Sequence, residues 1–186
     1  MGTEIEKKYR LSRERRTELL GRLREMGATV EGEDFEENTI YSGHDLDPRR
    51  SILRLRRVGG RAILTYKERF ASSSAIKSQR EDETGVEDAD ALASILDALG
   101  YRLVLIYEKR RSTWRIAGSE VVIDELPFGL FLEIEGEEKT IIEVEQLLGL
   151  VEAEAEMASY PELTERHGEK RGGVIEARFQ PTLPEM

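Results

Sequence analysis

Three of the glutamate pairs that are separated by a single residue in this chain of 186 residues share the same alternation within predicted strands. EIE covers residues 4–6, EDE covers residues 81–83 and a second EIE covers residues 133–135. Alternate residues of a β-strand point to the same face, so each pair would present two carboxylates side by side. Carboxylate oxygens are preferred ligands of divalent cations such as Mg²⁺. One such pair is common on an exposed strand, but three pairs with matching alternation favour a divalent-metal site.

Basic side chains alternate in the same way along neighbouring segments. In LRLRR, Arg54 and Arg56 share one face of a strand, and Leu53 and Leu55 share the other. Guanidinium groups bind phosphate oxygens through paired hydrogen bonds, which favours a phosphate ligand. Taken singly, each segment is also consistent with an exposed basic strand. The same alternation in EIEKK, LTYKER and EKRR adds Lys8, Lys67, Lys109 and Arg111.

The charge balance disfavours nucleic acids and anionic membranes as partners. The chain carries 28 basic and 38 acidic side chains, for a formal net charge of −10, and such a protein is repelled by anionic polymers. Aromatic residues amount to only 6% of the chain, whereas surfaces that bind single-stranded nucleic acid stack bases on aromatic rings. A metal-bound polyphosphate requires acids and bases together, so it fits both patterns.

Composition also limits the compartment and the type of metal site. The chain has no cysteine, which rules out disulfides and thiolate ligands. The N-terminus is charged from Glu4 onward, unlike a secretory signal peptide, and no apolar run approaches the length of a membrane span. We therefore expect a soluble cytoplasmic protein.

Hydrophobic periodicity and turn residues divide the chain into strands and helices. Ser12 caps the first predicted helix, and Gly59 and Gly60 join two strands in a hairpin. The strands are mostly neighbours or hairpin partners, which predicts an antiparallel sheet. The predicted strands cover residues 3–11, 29–42, 52–58, 61–69, 77–86, 101–116, 119–126 and 130–136. The predicted helices cover residues 13–26, 88–99, 138–148 and 151–167, the last interrupted near Pro161.

Alternation sorts the strand residues into an apolar face and a charged face. The amphipathic helices need an apolar surface to pack on, and the apolar strand face supplies it. Eight strands are enough to close a barrel, whose charged face would then line a wet central channel. We therefore predict an α+β fold, a closed or nearly closed antiparallel eight-stranded β-barrel with a charged lumen and helices packed outside. The alternative is an open sheet whose charged face meets solvent.

Strand alternation assigns individual residues to the apolar face and to the charged face. The apolar face holds Ile5, Leu53, Leu55, Leu64, Tyr66, Val104, Ile106, Val121, Ile123, Leu132 and Ile134. The acids of the charged face are Glu4, Glu6, Glu81, Glu83, Asp124, Glu133 and Glu135. Its bases are Lys8, Arg54, Arg56, Lys67, Lys109 and Arg111.

The motifs EIEKK, LRLR, LTYK, REDE, EKRR, VVID and FLEIEG follow one another in this order. As an ordered set they resemble the CYTH superfamily, also called triphosphate tunnel metalloenzymes. The resemblance runs from about Thr3 to about His167, where SYPEL is similar to the closing helix of the family. It implies one tunnel domain over residues 1–167, followed by a loose C-terminal tail over residues 168–186.

The resemblance also implies a ligand set. It implies a charged tunnel that holds a triphosphate with two divalent ions, Mg²⁺ or Mn²⁺. The implied metal ligands are Glu4, Glu6, Asp124, Glu133, Glu135, Glu81 and Glu83. The implied triphosphate-binding residues are Lys8, Arg54, Arg56, Lys67, Lys109 and Arg111, with Arg80 added although it is out of alternation with its neighbours. Lys8 is also a candidate catalytic proton acceptor, provided that nearby cations depress its pKa.

These expectations lead to one leading function and two alternatives. The leading hypothesis is metal-dependent hydrolysis of a triphosphate, such as inorganic tripolyphosphate, thiamine triphosphate or a nucleotide. The first alternative is a class IV adenylate cyclase that converts ATP to cyclic AMP and pyrophosphate. The second is a non-catalytic module that binds polyphosphate or nucleotide. The expected partner is a small triphosphate molecule, with no nucleic acid or membrane, and the oligomeric state is open, a homodimer included.

Overall fold

The computed structural model describes residues 2–44, 46–70 and 75–180. Within these residues the chain forms ten strands and four helices. The strands are β1 (Gly2–Leu11), β2 (Thr29–Ser42), β3 (Ser51–Val58), β4 (Arg61–Arg69), β5 (Lys77–Val86), β6 (Arg102–Ile116), β7 (Ser119–Leu126), β8 (Gly129–Glu135), β9 (Glu169–Arg171) and β10 (Val174–Ala177). The helices are α1 (Arg13–Glu25), α2 (Ala89–Ala98), α3 (Glu138–Leu148) and α4 (Tyr160–His167).

The first eight strands close into an antiparallel barrel. Their order is β2-β3-β4-β5-β1-β8-β7-β6, and β2 pairs with β6 to complete the ring. This confirms the predicted eight-stranded α+β barrel. The β3–β4 hairpin turns at Gly59 and Gly60, whose φ angles of 54° and 75° fall in the left-handed region that favours glycine.

Helices cover the apolar outer face of the barrel, as the alternation predicts. The helices α1 and α3 bury Leu23, Val144 and Leu148 against strand residues that include Val121 and Ile134. The helix α2 buries Leu96 in a second cluster with Tyr41 and Leu55. Burying a side chain of this size stabilises a fold by about 1.5–3 kcal/mol. The apolar residues are therefore committed to the outside of the barrel, which leaves the charged alternate residues to the lumen.

The helix α4 closes one end of the lumen and begins later than the sequence predicts. Residues 151–159 form turns and irregular backbone, so the prediction of a helix from residue 151 is wrong there. The helix begins after Ser159, whose side chain and Glu162 form a capping box, and Pro161 occupies the first turn. An apolar cluster that includes Tyr107, Phe131 and Tyr160 packs at this end.

The prediction of a loose tail from residue 168 is wrong for residues 168–180, the described part of the C-terminal segment. The strands β9 and β10 pair with each other, and β10 pairs in parallel with β6 at Leu105–Tyr107. Arg178 fixes the segment further, since its guanidinium contacts Glu37 at 2.7 Å and Glu108 at 2.9 Å. Residues 181–186 lie outside the described residues. Among the residues that are described, no helix is both long and apolar enough to cross a membrane.

Candidate active site

A charged cavity of about 240 Å³ occupies the lumen. Seven of the eight barrel strands and the start of α4 contribute to its walls. All of the site residues predicted from the sequence line it except Asp124 and Arg80. The lining consists of Glu4, Glu6, Lys8, Ile52, Arg54, Arg56, Lys67, Arg69, Gln79, Glu81, Glu83, Tyr107, Lys109, Arg111, Glu120, Glu133, Glu135, Ser159, Tyr160 and Pro161.

Three carboxylates of this cavity, from Glu4, Glu6 and Glu135, form what we call the acid cluster. One oxygen from each lies within 4.8 Å of the others. Strand alternation brings Glu4 and Glu6 to one face of β1, and the register of β1 with β8 sets Glu6 opposite Glu135. An all-carboxylate oxygen set suits Mg²⁺ or Mn²⁺ better than a soft metal. The residues present therefore fit the divalent ion that the family resemblance implies.

Burial and crowding of like charges perturb the pKa values of two acids around this cluster. Burial, and after it the charges of Glu133, Glu4 and Glu6, raise the pKa of Glu135 to about 8, although Arg111 opposes the shift. Burial likewise raises the pKa of Glu81 to about 7, with Glu4 adding to the effect against Lys67. A divalent cation would favour the charged forms of such acids, which is typical of a metal site.

The pKa of Glu4 moves in the opposite direction. Burial alone would raise it, but the ammonium of Lys67 and hydrogen bonds from Lys67 and Gln79 keep it below its usual value. The Gln79 amide donates to Glu4 Oε2 at 2.7 Å, and Lys67 Nζ also lies 3.1 Å from Glu81 Oε1. Lys67 therefore pairs with one member of the acid cluster, Glu4, and with Glu81, while its own charge faces the cavity.

Arginines of β3 form a second part of the wall. Arg54 and Arg56 both approach Glu83 Oε1, at 3.5 and 3.3 Å, and Thr65 donates to the same oxygen at 2.7 Å. The Nε atoms of both arginines are buried and lack a hydrogen-bond partner. Buried donors without an acceptor are costly, so the hydrogen bonding of these two arginines is incomplete in this structure.

Asp124, predicted as a metal ligand, is instead enclosed by basic and phenolic donors. Its side chain is fully buried, and Arg111 donates to both of its oxygens at 2.8 and 2.7 Å. Burial would raise its pKa, but Arg111 and Lys109 hold that pKa well below its usual range. With its oxygens engaged in this way, Asp124 positions Arg111 and Lys109 in this structure and does not line the cavity.

Glu133 pairs with two of the predicted triphosphate-binding residues. Its carboxylate lies 3.1 Å from Lys8 Nζ and 2.8 Å from Arg111. The carboxylates of Glu133 and Glu6 raise the pKa of Lys8 above its usual value, although burial opposes this. A role as proton acceptor requires a depressed pKa, so the opposite shift counts against this role for Lys8, which stays a prediction. The charged ammonium suits phosphate binding.

Arg80 lies on the outer side of the barrel wall, so its prediction as a triphosphate-binding residue is wrong. It pairs with Asp82 at 2.6 Å, and its guanidinium lies 5.8 Å from the centre of the Tyr66 ring. The physical reason is strand alternation, which turns Arg80 away from the face that carries Glu81 and Gln79.

Several lumen residues were missed by sequence reasoning. The carboxylate of Glu36 lies 3.2 Å from Lys109 Nζ and accepts a hydrogen bond from Asn38 at 3.2 Å. Lys77 and Gln79 share the alternation of Glu81 and could have been found by extending that pattern two residues at a time. Tyr160 reaches the lumen from α4, and no local pattern indicates that contact.

The geometry just described agrees with a comparison against known protein families. The model of the CYTH domain matches residues 2–167. The chain belongs to the CYTH domain family. The match ends at His167, so the β9–β10 hairpin lies beyond the CYTH domain in this chain.

Individual CYTH relatives resemble the chain over most of its length. A Methanocaldococcus jannaschii protein named "putative adenylate cyclase" is 27% identical over 147 residues, which cover 77% of this chain and 83% of the relative. A solved structure from Pyrococcus horikoshii has a TM-score of 0.76 at 25% identity and covers 86% of this chain and 98% of its own. A Hippeastrum protein, named "putative adenylyl cyclase" and described as having a dominant triphosphatase activity, shares the fold with a TM-score of 0.69 at 19% identity, covering 88% of this chain and 95% of its own.

Proposed function

We propose that this chain hydrolyses the triphosphate group of a small molecule in the lumen of its barrel, with Mg²⁺ or Mn²⁺ as cofactor. The observation that carries the proposal is the juxtaposition of opposite charges around one cavity. The acid cluster lies in the same lumen as Lys8, Arg54, Arg56, Lys67, Lys109 and Arg111. Tripolyphosphate, thiamine triphosphate and nucleoside triphosphates all share the group that this arrangement suits.

The basic side chains bind and orient the phosphate chain. Arg54 and Arg56 lie on one side of the lumen, on β3, and Lys8 lies on β1. Charges fixed in a largely enclosed site interact more strongly than in water, because the local dielectric is lower. Because these charges are already in place, little free energy is spent on reorienting them when negative charge moves during phosphoryl transfer.

The acid cluster provides the cofactor site in this proposal. Divalent ions bound there supply charge compensation for phosphate oxygens and lower the pKa of an attacking water. Glu81, Glu83 and Glu133 line the same cavity but pair with basic side chains in this structure, so their role as further metal ligands stays a prediction. When substrate draws the basic groups away, these carboxylates become free to join the site.

The experiment that tests the proposal is an assay of site variants. Glu4→Gln and Glu133→Gln should lower metal-dependent turnover of the best triphosphate by about a hundredfold or more, since each removes charge from the site. Arg54→Ala should mainly raise KM, by about tenfold, because one charge-assisted phosphate contact is lost. Arg80→Ala, on the outer face of the same sheet, is the matched control and should behave like the parent protein. Turnover that survives unchanged in the glutamate variants would refute the proposal.

A cyclase reaction is the second candidate, favoured by the name of the Methanocaldococcus jannaschii relative. In a cyclase the ribose 3′-oxygen attacks the α-phosphate of ATP and pyrophosphate leaves. The same basic wall and acid cluster would serve both reactions, and the products distinguish them. Cyclic AMP from ATP would support the cyclase, whereas orthophosphate supports the hydrolase. Tight binding of triphosphates without turnover would support the non-catalytic module.

A further inference from the structure

Tyr160 is the one aromatic residue that α4 inserts among the lumen charges within the described residues. It is the first residue of the helix and only 6% exposed, yet it lines the cavity. The capping box of Ser159 and Glu162 fixes the backbone at this point. The ring packs edge-on against Phe131, with ring centres 5.5 Å apart. Its position is therefore set by the helix and by the apolar cluster behind it.

The ring of Tyr160 contacts two of the basic groups in the lumen. The Lys8 ammonium lies 3.8 Å from the ring centre, and the Lys109 ammonium lies 5.2 Å from it. Both distances fall within the range of a cation–π interaction, which is strongest where water is excluded. Such an interaction uses the face of the ring. It therefore holds an ammonium group while the N–H donors of that group can still bond to oxygen acceptors.

The hydroxyl of Tyr160 connects the same residue to a third basic group. It donates to Asp124 Oδ2 at 2.8 Å. The same oxygen accepts from Arg111 at 2.7 Å and lies 3.4 Å from the Lys109 ammonium. One tyrosine thus contacts Lys8 and Lys109 directly and reaches Arg111 through a single carboxylate.

We propose that Tyr160 is a positioning residue that sets Lys8, Lys109 and Arg111 for the phosphate groups of the substrate. This inference rests on the proposed triphosphate function of the lumen. The Lys8 ammonium lies 3.1 Å from Glu133 Oε1 and donates to the Ala158 carbonyl at 3.3 Å. An ammonium group has three donors, so the ring can keep Lys8 in place while a donor turns to a phosphate oxygen. Fixing such flexible side chains in advance lowers the entropic cost of binding.

The test replaces Tyr160 with a graded series of ring variants in the full-length protein. The variants Tyr160→Phe, Tyr160→4-fluorophenylalanine and Tyr160→3,4,5-trifluorophenylalanine retain the ring shape but progressively weaken its attraction for cations. The probe is metal-free tripolyphosphate, titrated by calorimetry. The Kd should rise at each fluorination step, by about tenfold over the series. Tyr160→Leu, which has no ring, should weaken binding at least as much.

The controls separate positioning from packing. The same fluorinated series at Phe128, which stacks on His167 away from the charged cavity, should leave the Kd unchanged. Leu163→Ala removes a buried side chain of the same helix and should lower the melting temperature without changing the Kd of the folded protein.

A flat Kd across the Tyr160 series, or an equal trend at Phe128, would overturn the inference. Equal weakening by Leu163→Ala would also overturn it, since helix packing would then suffice. Failure of the proposed function is a separate result: the parent protein itself would neither bind tripolyphosphate nor release phosphate from any triphosphate.

Discussion

Glu135 illustrates how a single residue can link the charge of the lumen to pH. Its partly buried carboxyl lies beside Glu4 and Glu6, and its pKa is raised to about 8. Near neutral pH the metal-free site therefore carries a proton that a divalent ion must displace. A proton and a cation compete for the same oxygens.

From this competition we predict that Mg²⁺ or Mn²⁺ binds more tightly as the pH rises. Between pH 6 and pH 8 the affinity should increase by up to about tenfold per pH unit, for one proton released. Calorimetry in two buffers of different ionisation enthalpy measures that proton directly. Glu135→Gln should bind the metal weakly and show a flatter pH dependence. A pH-independent affinity in the parent protein would contradict the assigned acid cluster.

The pKa of Glu36 is shifted in the opposite direction to the pKa of Glu135, and this shift affects the stability of the fold. Burial opposes its ionisation, but Lys109, Arg111 and Arg56 lower its pKa to about 2. A carboxyl with a depressed folded pKa stabilises the fold above its unfolded value near 4.5, and that stability is lost as the pH falls towards 2. The shift corresponds to about 3 kcal/mol.

We therefore predict that Glu36→Gln lowers the free energy of unfolding by about 3 kcal/mol at pH 7. The difference from the parent protein should shrink below pH 4 and nearly vanish near pH 2. Urea titrations at several pH values measure it, with Glu33→Gln on the exposed part of the same strand as the control. A constant difference across this pH range would show that the Glu36 charge is not responsible.

At the residue scale, alternation alone identified most of the lumen. Glu4, Glu6 and Lys8 followed from the alternation of one strand, because a strand permits only two side-chain directions. The enclosure of Asp124 could not be foreseen. It depends on Tyr160, which approaches from a helix distant in sequence. It also depends on which donors of the folded barrel bond to the Asp124 oxygens.

At the scale of elements, the C-terminal hairpin extends the sheet along β6 beyond the CYTH domain. The strand β6 pairs with β7 only from Arg110 onward, and β10 pairs with β6 at Leu105–Tyr107. Arg178 then ties the segment to β2 and β6 through Glu37 and Glu108. The hairpin therefore protects a stretch of β6 that would otherwise have an open edge.

We predict that Arg178→Ala loosens this edge. Backbone amides of residues 103–108 should exchange with deuterium about tenfold faster, because local opening becomes easier when the ion pairs are lost. Hydrogen-exchange mass spectrometry resolves this segment. Arg171→Ala removes an exposed ion pair with Glu169 in the same hairpin and should leave the exchange unchanged. Equal exchange in all three proteins would mean that Arg178 does not hold the hairpin.

Helix and strand positions followed well from the sequence where local signals were strong. Ser12 caps α1 as predicted, and Asp88, the first residue of the second predicted helix, caps α2, since both side chains accept hydrogen bonds from backbone N–H groups. The hairpin of β9 and β10 was missed because its strands are only three and four residues long, too short to show hydrophobic alternation, and β9 is exposed throughout. Only pairing with β6, distant in sequence, orders them.

At the scale of the whole molecule, barrel closure reconciles an acidic chain with the anionic ligand that we propose. The net charge of −10 disfavours anion binding at the surface as a whole. Closing the sheet gathers seven basic side chains into one lumen, where they balance the seven acidic side chains over distances shorter than the screening length. Closure itself was predictable, because helices could cover only the apolar side of the strands.

The measurement that bears most directly on the charged lumen is product analysis by ³¹P NMR. The parent protein is incubated with Mg²⁺ or Mn²⁺ and, in turn, with tripolyphosphate, thiamine triphosphate and ATP. We predict metal-dependent release of orthophosphate from at least one of them, and its loss in Glu4→Gln. Release of pyrophosphate with cyclic AMP as the main product, or no turnover of any of the three, would contradict triphosphate hydrolysis by this lumen.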